Sequence, residues 1–340
     1  MFRRSDAFVR RWWDEGGGPS GRALSALLAP AEGTFRLAVG WRNRYWDTHE
    51  PFTVPGVRVV SVGNLTVGGS GKTPFSAWLV RRLAQRGVAV AVLARGYGSD
   101  EIELHRRFNP GVDVIVNTDR VAAAREAARR GMGVAVLDDG FQHRRLARDL
   151  DIVLVAAEDR LPGRMLPRGP YREPPAGLAR ADHVVVTRRT ALERDARMLC
   201  LRLRTHAPSA GVGLLRFVPE GWRTLGGAPA PTPTEGVLAL ASVARPEIFR
   251  KTLAGILEAP VELAAYPDHH DYTQADAVRI LARAAGRVVV TTRKDAVKLA
   301  RLAVEAERFR VLDERLVWEW GEDAFTHRID TLVTSSGTGR

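Results

Sequence analysis

From Val57 onward the chain alternates short, continuously apolar runs with stretches rich in Ala, Arg and Leu, and this alternation restricts the fold more than any other feature. Residues 58–63 are followed by a helical stretch at 75–86, 88–94 by a loop, and 112–117 by a helical stretch at 121–130. The series continues with apolar runs at 133–137, 151–156 and 183–187. A strand that is apolar at nearly every position is covered on both faces, the situation of parallel strands joined by crossover helices. The pattern predicts a doubly wound α/β domain on a parallel sheet.

Between 217 and 236 the rhythm breaks into Gly226, Gly227, Pro229, Pro231 and Pro233, which reads as a linker. Strand-like runs return at 237–242 and 287–292, with helical stretches at 246–257 and 274–284 between them, so a second, smaller α/β domain is expected. The expected organisation is an N-terminal segment at 1–47, a nucleotide-binding domain at 48–216, the linker at 217–236 and a C-terminal domain at 237–330. A length of 340 residues suits two domains at about 100–200 residues each. Composition of 45% apolar and 26% charged residues excludes wholesale disorder. The single cysteine, Cys200, excludes an intramolecular disulfide and a cysteine metal cluster, and points to a reducing compartment.

The strongest local signal is Gly63-Asn64-Leu65-Thr66-Val67-Gly68-Gly69-Ser70-Gly71-Lys72-Thr73, which leaves a strand and opens a helix. A phosphate loop needs this context. Glycines let backbone N–H groups converge on an anion, and the helix N-terminus adds partial positive charge. Lys72 would reach the β- and γ-phosphates of ATP, and the Thr73 hydroxyl would ligate Mg²⁺. The strict spacing would place Gly at position 66, where this chain has Thr66.

Two carboxylates, Asp138 and Asp139, end the apolar run at 134–137. They suit an acidic strand end that holds Mg²⁺, although Asp-Asp-Gly is also good turn sequence. Gln142 and His143 follow directly. Arg95-Gly96-Tyr97-Gly98-Ser99-Asp100-Glu101 leaves another strand and delivers an Arg and two acids, so Asp100 could accept a hydroxyl proton, with Glu101 or His143 as further candidates. In the second domain, Asp268-His269-His270-Asp271-Tyr272 reads from spacing alone as the loop before a helix capped at Thr273. Lys294 and Lys298, in Arg293-Lys294-Asp295-Ala296-Val297-Lys298, read as the start of a helix. Only four of the 51 basic residues are Lys, and three of those four, Lys72, Lys294 and Lys298, fall in these motifs.

These motifs, together with Leu166-Pro167-Arg168-Gly169-Pro170-Tyr171-Arg172-Glu173-Pro174, occur in an order that resembles the tetraacyldisaccharide 4′-kinases of lipid A biosynthesis, over about 24–299. Thr66 belongs to that family's loop. Three features depart from it: a shorter segment before Asp100, Ser99 in place of Gly, and Arg293 in place of Glu. The resemblance implies ATP- and Mg²⁺-dependent phosphorylation of the 4′-hydroxyl of a tetraacyldisaccharide 1-phosphate lipid, at the cytoplasmic face of the inner membrane. It implies Asp100 as the base and His269 as its partner, with His270 as the alternative. ATP would lie on Thr66, Val67, Gly68, Gly69, Ser70, Gly71, Lys72 and Thr73, and Mg²⁺ on Thr73 with Asp138 or Asp139. Arg172, and after it Arg95, would offset charge on the transferred phosphoryl group.

A competing class is the switch ATPase of the partition or metal-chaperone type, which shares the Gly-Gly-x-Gly-Lys-Thr core. Members with a signature lysine carry it just before the Gly pair, where this chain has Val67. A formal charge of +12 would also suit a nucleic-acid-stimulated NTPase. That reading wants aromatic residues interleaved with the basic surface, whereas Trp12, Trp13, Trp41 and Trp46 lie ahead of the nucleotide-binding pattern. An anionic lipid on an anionic bilayer accounts for Arg and Trp there, so a membrane surface and no nucleic acid is the expected partner set. No apolar run approaches the roughly 20 residues of a spanning helix. The nearest, 23–39, is interrupted by Pro30, Glu32, Gly33 and Arg36, and no signal peptide is expected.

Overall fold

The computed structural model describes residues 9, 12, 13, 16, 18–96, 99–302 and 304–334, the side chains of Ser99 and Asp100 excepted. The chain forms two compact units. One comprises Gly18–Arg216 and Leu316–Arg340, the other Phe217–Arg315 with the few described residues ahead of Gly18.

The larger unit opens with helices α1 (Gly18–Leu27) and α2 (Ala29–Thr48). Then come β1 (Arg58–Asn64), α3 (Lys72–Ala84), β2 (Val90–Ala94), α4 (Ser99–Phe108), β3 (Asp113–Val116), α5 (Arg120–Arg129) and β4 (Val134–Asp138). After them follow β5 (Leu150–Ala156), a 3₁₀ turn (Pro175–Arg180), β6 (His183–Arg188), α6 (Glu193–Arg204) and the first part of β7 (Gly211–Arg223). The sheet runs β7-β6-β5-β1-β4-β2-β3, all parallel. Strands 2, 3 and 4 lie on one side of β1 and strands 5, 6 and 7 on the other, so strand order reverses at β1. In a doubly wound sheet the ligand crevice opens at the carboxyl ends beside such a reversal. The pairing of Val62 with Asp138 sets the loop after β1 beside the acidic end of β4.

The expected burial of both faces is observed. Every residue of β2, β4 and β5 is buried, while Val59, Leu93, Ile115, Val121, Ala124 and Leu137 form one core cluster and Val153, Val184, Val186, Leu199, Cys200 and Leu203 another. A final helix, α10 (Glu322–Thr334), seats Phe325 against Phe75, Trp78 and Trp318, with ring centroids 5.1–5.9 Å apart.

The smaller unit contains the end of β7 paired with β8 (Pro229–Ala230), then β9 (Val237–Ala241), α7 (Pro246–Ala254) and β10 (Val261–Ala265). It continues with α8 (Gln274–Ala284), β11 (Val288–Thr291), α9 (Arg293–Leu299) and the start of β12 (Phe309–Trp320). Its strands run β10-β9-β11-β12, again parallel. Leu238, Leu240, Ile280, Val289 and Phe309 form one core, and Val237, Leu253, Val290 and Leu312 another.

The expected strands form to within two residues of their sequence bounds. The stretch after β2, expected as a loop, contains α4 instead. Its sequence Ser-Asp-Glu-Ile-Glu-Leu-His-Arg-Arg-Phe is too charged to show a clear apolar stripe, yet Leu104 and His105 are buried. The Pro-rich stretch at 217–236 carries the end of β7 and all of β8.

Residues 23–39, read as one interrupted apolar run, are two helices broken at Leu28, with Pro30 tolerated in the first turn of α2. Glu32 points inward, accepting from the Met165 N–H at 2.8 Å and from Arg168 at 2.9 Å. Leu37 and Trp41, each 76% exposed, and Tyr45 at 43% recur every four residues along α2, with Leu27 equally exposed at the end of α1. Trp12, in contrast, is buried. No helix among the described residues is long and apolar enough to cross a membrane.

Candidate active site

The loop between β1 and α3 is shaped by its glycines. Gly68, Gly69 and Gly71 take positive φ values of 97°, 33° and 83°, and Gly71 in the left-handed region is the N-cap of α3. Gly63 is required for space, because a Cβ there would stand 2.4 Å from that of Phe141. Asn64, fully buried, braces the loop from within, donating to the Gly68 carbonyl at 3.2 Å and to Ser70 Oγ at 2.9 Å.

The loop is also strapped from outside. The Val67 N–H donates to the Pro170 carbonyl and the Arg172 N–H to that of Leu65, each at 2.8 Å. Thr66 forms a bridge with Tyr171 and donates to Asp159 at 3.2 Å. This explains why a threonine stands where the strict pattern has glycine: its side chain is buried and bonded. It also gives the segment 166–174 a function that spacing did not disclose, since it delivers Arg172 to the loop.

Lys72 and Arg172 converge on Asp139. Lys72 Nζ lies 3.4 Å from Oδ1, while Arg172 Nη1 donates to both carboxylate oxygens at 2.9 and 3.1 Å and approaches Gln142 Oε1 at 3.5 Å. Desolvation pushes the Asp139 pKa up, but the two cations outweigh it and hold the group at about 2, so it is ionised at neutral pH. Its φ of 57° places a non-glycine residue in the left-handed region, strain of the kind that gathers at functional sites. Gln142 is fixed by donating to the Asn64 carbonyl at 2.8 Å.

Asp138 turns the other way. It accepts from Ser76 Oγ at 3.2 Å, and its Oδ2 lies 2.9 Å from His105 Nε2, a side chain 1% exposed. Two residues absent from the sequence reading therefore belong to the site. His105 sits in a helix whose pattern was not recognised. Arg120, buried at the start of α5, is fixed by donating to the Asn117 carbonyl. Burial and Arg95 lower its pKa, while Asp139, Asp138 and Glu101 raise it, so it shares their electrostatic environment. A signal existed in Asn117-Thr118-Asp119-Arg120, where Asp119 caps α5 through the N–H groups of Val121 and Ala122. Desolvation, aided by Arg120 and Arg148, lowers the His143 pKa to about 4.

Asp100 lies in the first turn of α4, but its side chain falls outside the described residues. Glu101 beside it is half-buried.

In the smaller unit the two adjacent histidines are sharply different. His270 is buried, its Nε2 3.1 Å from Asp276, which itself closes the capping box of α8 with Thr273. His269 is exposed, at a φ of 57°, with Nε2 3.0 Å from Lys294 Nζ. A residue tied into a helix cap serves structure, and one held at the surface by a cation can meet a substrate.

A glycine loop opening a helix beside an acidic strand end, with Lys72 and Arg172 converging there, defines a nucleotide-dependent phosphotransferase of the doubly wound α/β class. The comparisons with known proteins narrow the class. The family model for tetraacyldisaccharide-1-P 4′-kinase matches residues 24–105 and 99–334. A tetraacyldisaccharide 4′-kinase of Anaeromyxobacter dehalogenans (strain 2CP-C) is 41% identical, covering 88% of this chain and 89% of its own. One from Anaeromyxobacter sp. (strain K) is 40% identical over 96% and 95% respectively. The crystal structure of LpxK from Aquifex aeolicus in complex with ATP matches with a TM-score of 0.69 at 26% identity, covering 91% of this chain and 99% of that one. The chain belongs to the tetraacyldisaccharide 4′-kinase family.

Proposed function

We infer that this protein is an ATP-dependent kinase that phosphorylates the 4′-hydroxyl of tetraacyldisaccharide 1-phosphate in lipid A biosynthesis. The observation that carries the reading is the cluster of Lys72, Asp139 and Arg172 beside a glycine loop of the right shape, in a chain of this family. ATP lies along residues 66–73, with Lys72 leaving Asp139 for the β- and γ-phosphates. The oxygen donors present, the Thr73 hydroxyl with the Asp138 or Asp139 carboxylate, suit Mg²⁺, which takes few protein ligands and completes its shell with phosphate and water. Held by Thr73 with Asp138 or Asp139, such an ion would supply positive charge to offset that of the phosphates.

Asp100 accepts the proton of the attacking 4′-hydroxyl, and His269 serves as its functional partner. Arg172, released from Asp139 by the nucleotide, offsets charge on the transferred phosphoryl group. The strap to Leu65 fixes the main chain at Arg172, and a planar guanidinium fork suits a donor to phosphoryl oxygens. The exposed row of Leu27, Leu37, Trp41 and Tyr45 rests at the interface of an anionic bilayer, the cytoplasmic face of the inner membrane, without spanning it. A switch ATPase is not favoured, since Val67 stands at the signature-lysine position. The deciding assay supplies purified protein with Mg-ATP and the disaccharide lipid and reads product mass. ATP hydrolysis with no phosphorylated lipid would refute the kinase assignment.

A further inference from the structure

Near His269 the smaller unit brings three charged residues of α9 to bear on one loop. Lys294 Nζ lies 3.0 Å from His269 Nε2 and 3.3 Å from Asp268 Oδ1. The His269 N–H donates to the Ser242 carbonyl at 3.3 Å. Ser242 is itself clamped by Asp295, fully buried, which accepts from its N–H at 2.9 Å and from its hydroxyl. Lys298 Nζ, also buried, donates to the His270 carbonyl at 3.0 Å. A left-handed φ on a residue other than glycine is strained and persists only where the surroundings enforce it. Here the enforcing groups are the strand end beneath His269, the carbonyl after it and the ammonium on its ring.

We propose that Lys294 is a positioning residue for the phosphoryl-transfer reaction, fixing both the tautomer and the direction of the His269 ring. An ammonium carries three donors and no acceptor, so a hydrogen bond from Lys294 requires a lone pair on Nε2. The ring proton then resides on Nδ1, and His269 presents Nδ1–H as its donor. Such a donor suits a carboxylate that must be oriented and kept as a proton acceptor. This rests on the assignment of Asp100 and His269 as base and partner. Asp268 anchors the ammonium from its other side, so the Asp-His and Lys-Asp motifs form one device. A lysine suits the position because a compact point charge can share its donors between a ring nitrogen and a carboxylate, which a planar guanidinium fork does less readily. In a chain with four Lys among 51 basic residues, two of them serve this loop.

The test uses the full chain. Long-range ¹H–¹⁵N spectra of the imidazole rings should show His269 protonated on Nδ1 and bare on Nε2, and Lys294→Met should abolish that preference. Misplacement of a reacting group by about 1 Å costs roughly 10²-fold, so Lys294→Met should lower kcat to that extent with KM for ATP and for lipid unchanged. Lys294→Arg, which keeps a donor, should restore the tautomer and part of kcat. In a His269→Ala background Lys294→Met should cost nothing further. A wild-type ring carrying its proton on Nε2, or a loss confined to KM for the lipid, overturns the proposal, the latter by assigning Lys294 to a substrate phosphate. If His269→Ala keeps full turnover, the base assignment falls and the kcat effect of Lys294 with it, while the spectrum still decides the tautomer.

Discussion

At the scale of single residues, the proposed site separates groups assigned to the nucleotide from groups that hold them in place. Lys72 makes its ion pair with the partly exposed Asp139, so Lys72→Ala should abolish lipid phosphorylation while leaving the melting temperature near that of the parent. Asp138 is mostly buried and bonded to His105 and Ser76, so its informative variant is Asp138→Asn, which keeps shape but weakens any Mg²⁺ ligation. Turnover close to normal in either variant would remove the nucleotide and metal assignments. For Asp100, general-base contributions of about 10²–10⁴-fold set the expected loss of kcat in Asp100→Asn, with KM for ATP little changed. His269→Ala should resemble it, and the double variant should lose far less than the product of the two. Near-normal kcat in Asp100→Asn would move the base to Glu101. His143 is a poorer substitute because burial, aided by Arg120 and Arg148, disfavours its charged form.

At the scale of elements, α4 is the least expected and among the most consequential. It carries Asp100 at its start and His105 one turn and a half later, so a single helix supplies the proposed base and a hydrogen-bond partner of Asp138. His105→Leu leaves Asp138 with only Ser76 of these two partners, and a buried acceptor stripped of its partner costs about 1–3 kcal/mol. A lower melting temperature together with a raised KM for Mg-ATP is expected, and an unchanged KM would confine His105 to packing. Helix α2 is anchored by Glu32 within and by Arg42 and Asn43, which donate to the fully buried Glu173 at 3.1 and 3.0 Å. Its row of Leu37, Trp41 and Tyr45 is exposed, the row proposed to meet a bilayer. Replacing all three by Ser should preserve folding and ATP binding but release the protein from anionic vesicles. Cosedimentation checks this, and undiminished binding would refute the interfacial role.

At the scale of the whole molecule, acid stability should be governed by histidines that folding keeps neutral. His183 is 1% exposed, packs on Phe325 with centroids 5.0 Å apart, and burial lowers its pKa to about 4 from 6.5. The unfolded chain therefore binds a proton that the folded one refuses between these values, and stability falls as pH drops from about 6.5 to 4. A shift of that size corresponds to roughly 3 kcal/mol for His183. Asp139, held at about 2, loses its contribution only below pH 3.8, and Asp151, raised by burial, acts in the opposite sense. Melting temperatures measured from pH 7 to 4.5 should decline, and His183→Leu should flatten the curve. An equal decline in that variant would place the effect elsewhere.

What was legible in the sequence is what short-range physics fixes. Apolar runs at 58–63 and 134–137 suit strands buried on both faces, Gly68, Gly69 and Gly71 admit the backbone that an anion needs, and Asp138-Asp139 at a strand end need polar partners close by. The parallel sheet and the phosphate loop follow from such local chemistry, and the order of the motifs carries the resemblance to the family. Tertiary structure alone decided which partners those groups take. Nothing in the letters places Arg172 on Asp139 or His105 on Asp138, because a side chain does not encode a contact 33 residues away. Nor does Asp268-His269-His270 say which histidine is spent on a helix cap, or the tryptophan content that Trp12 is buried while Trp41 is exposed. Those choices are made by strand register, the strap of 166–174 and the demand that each buried polar group be satisfied, and they exist only once the chain has closed on itself.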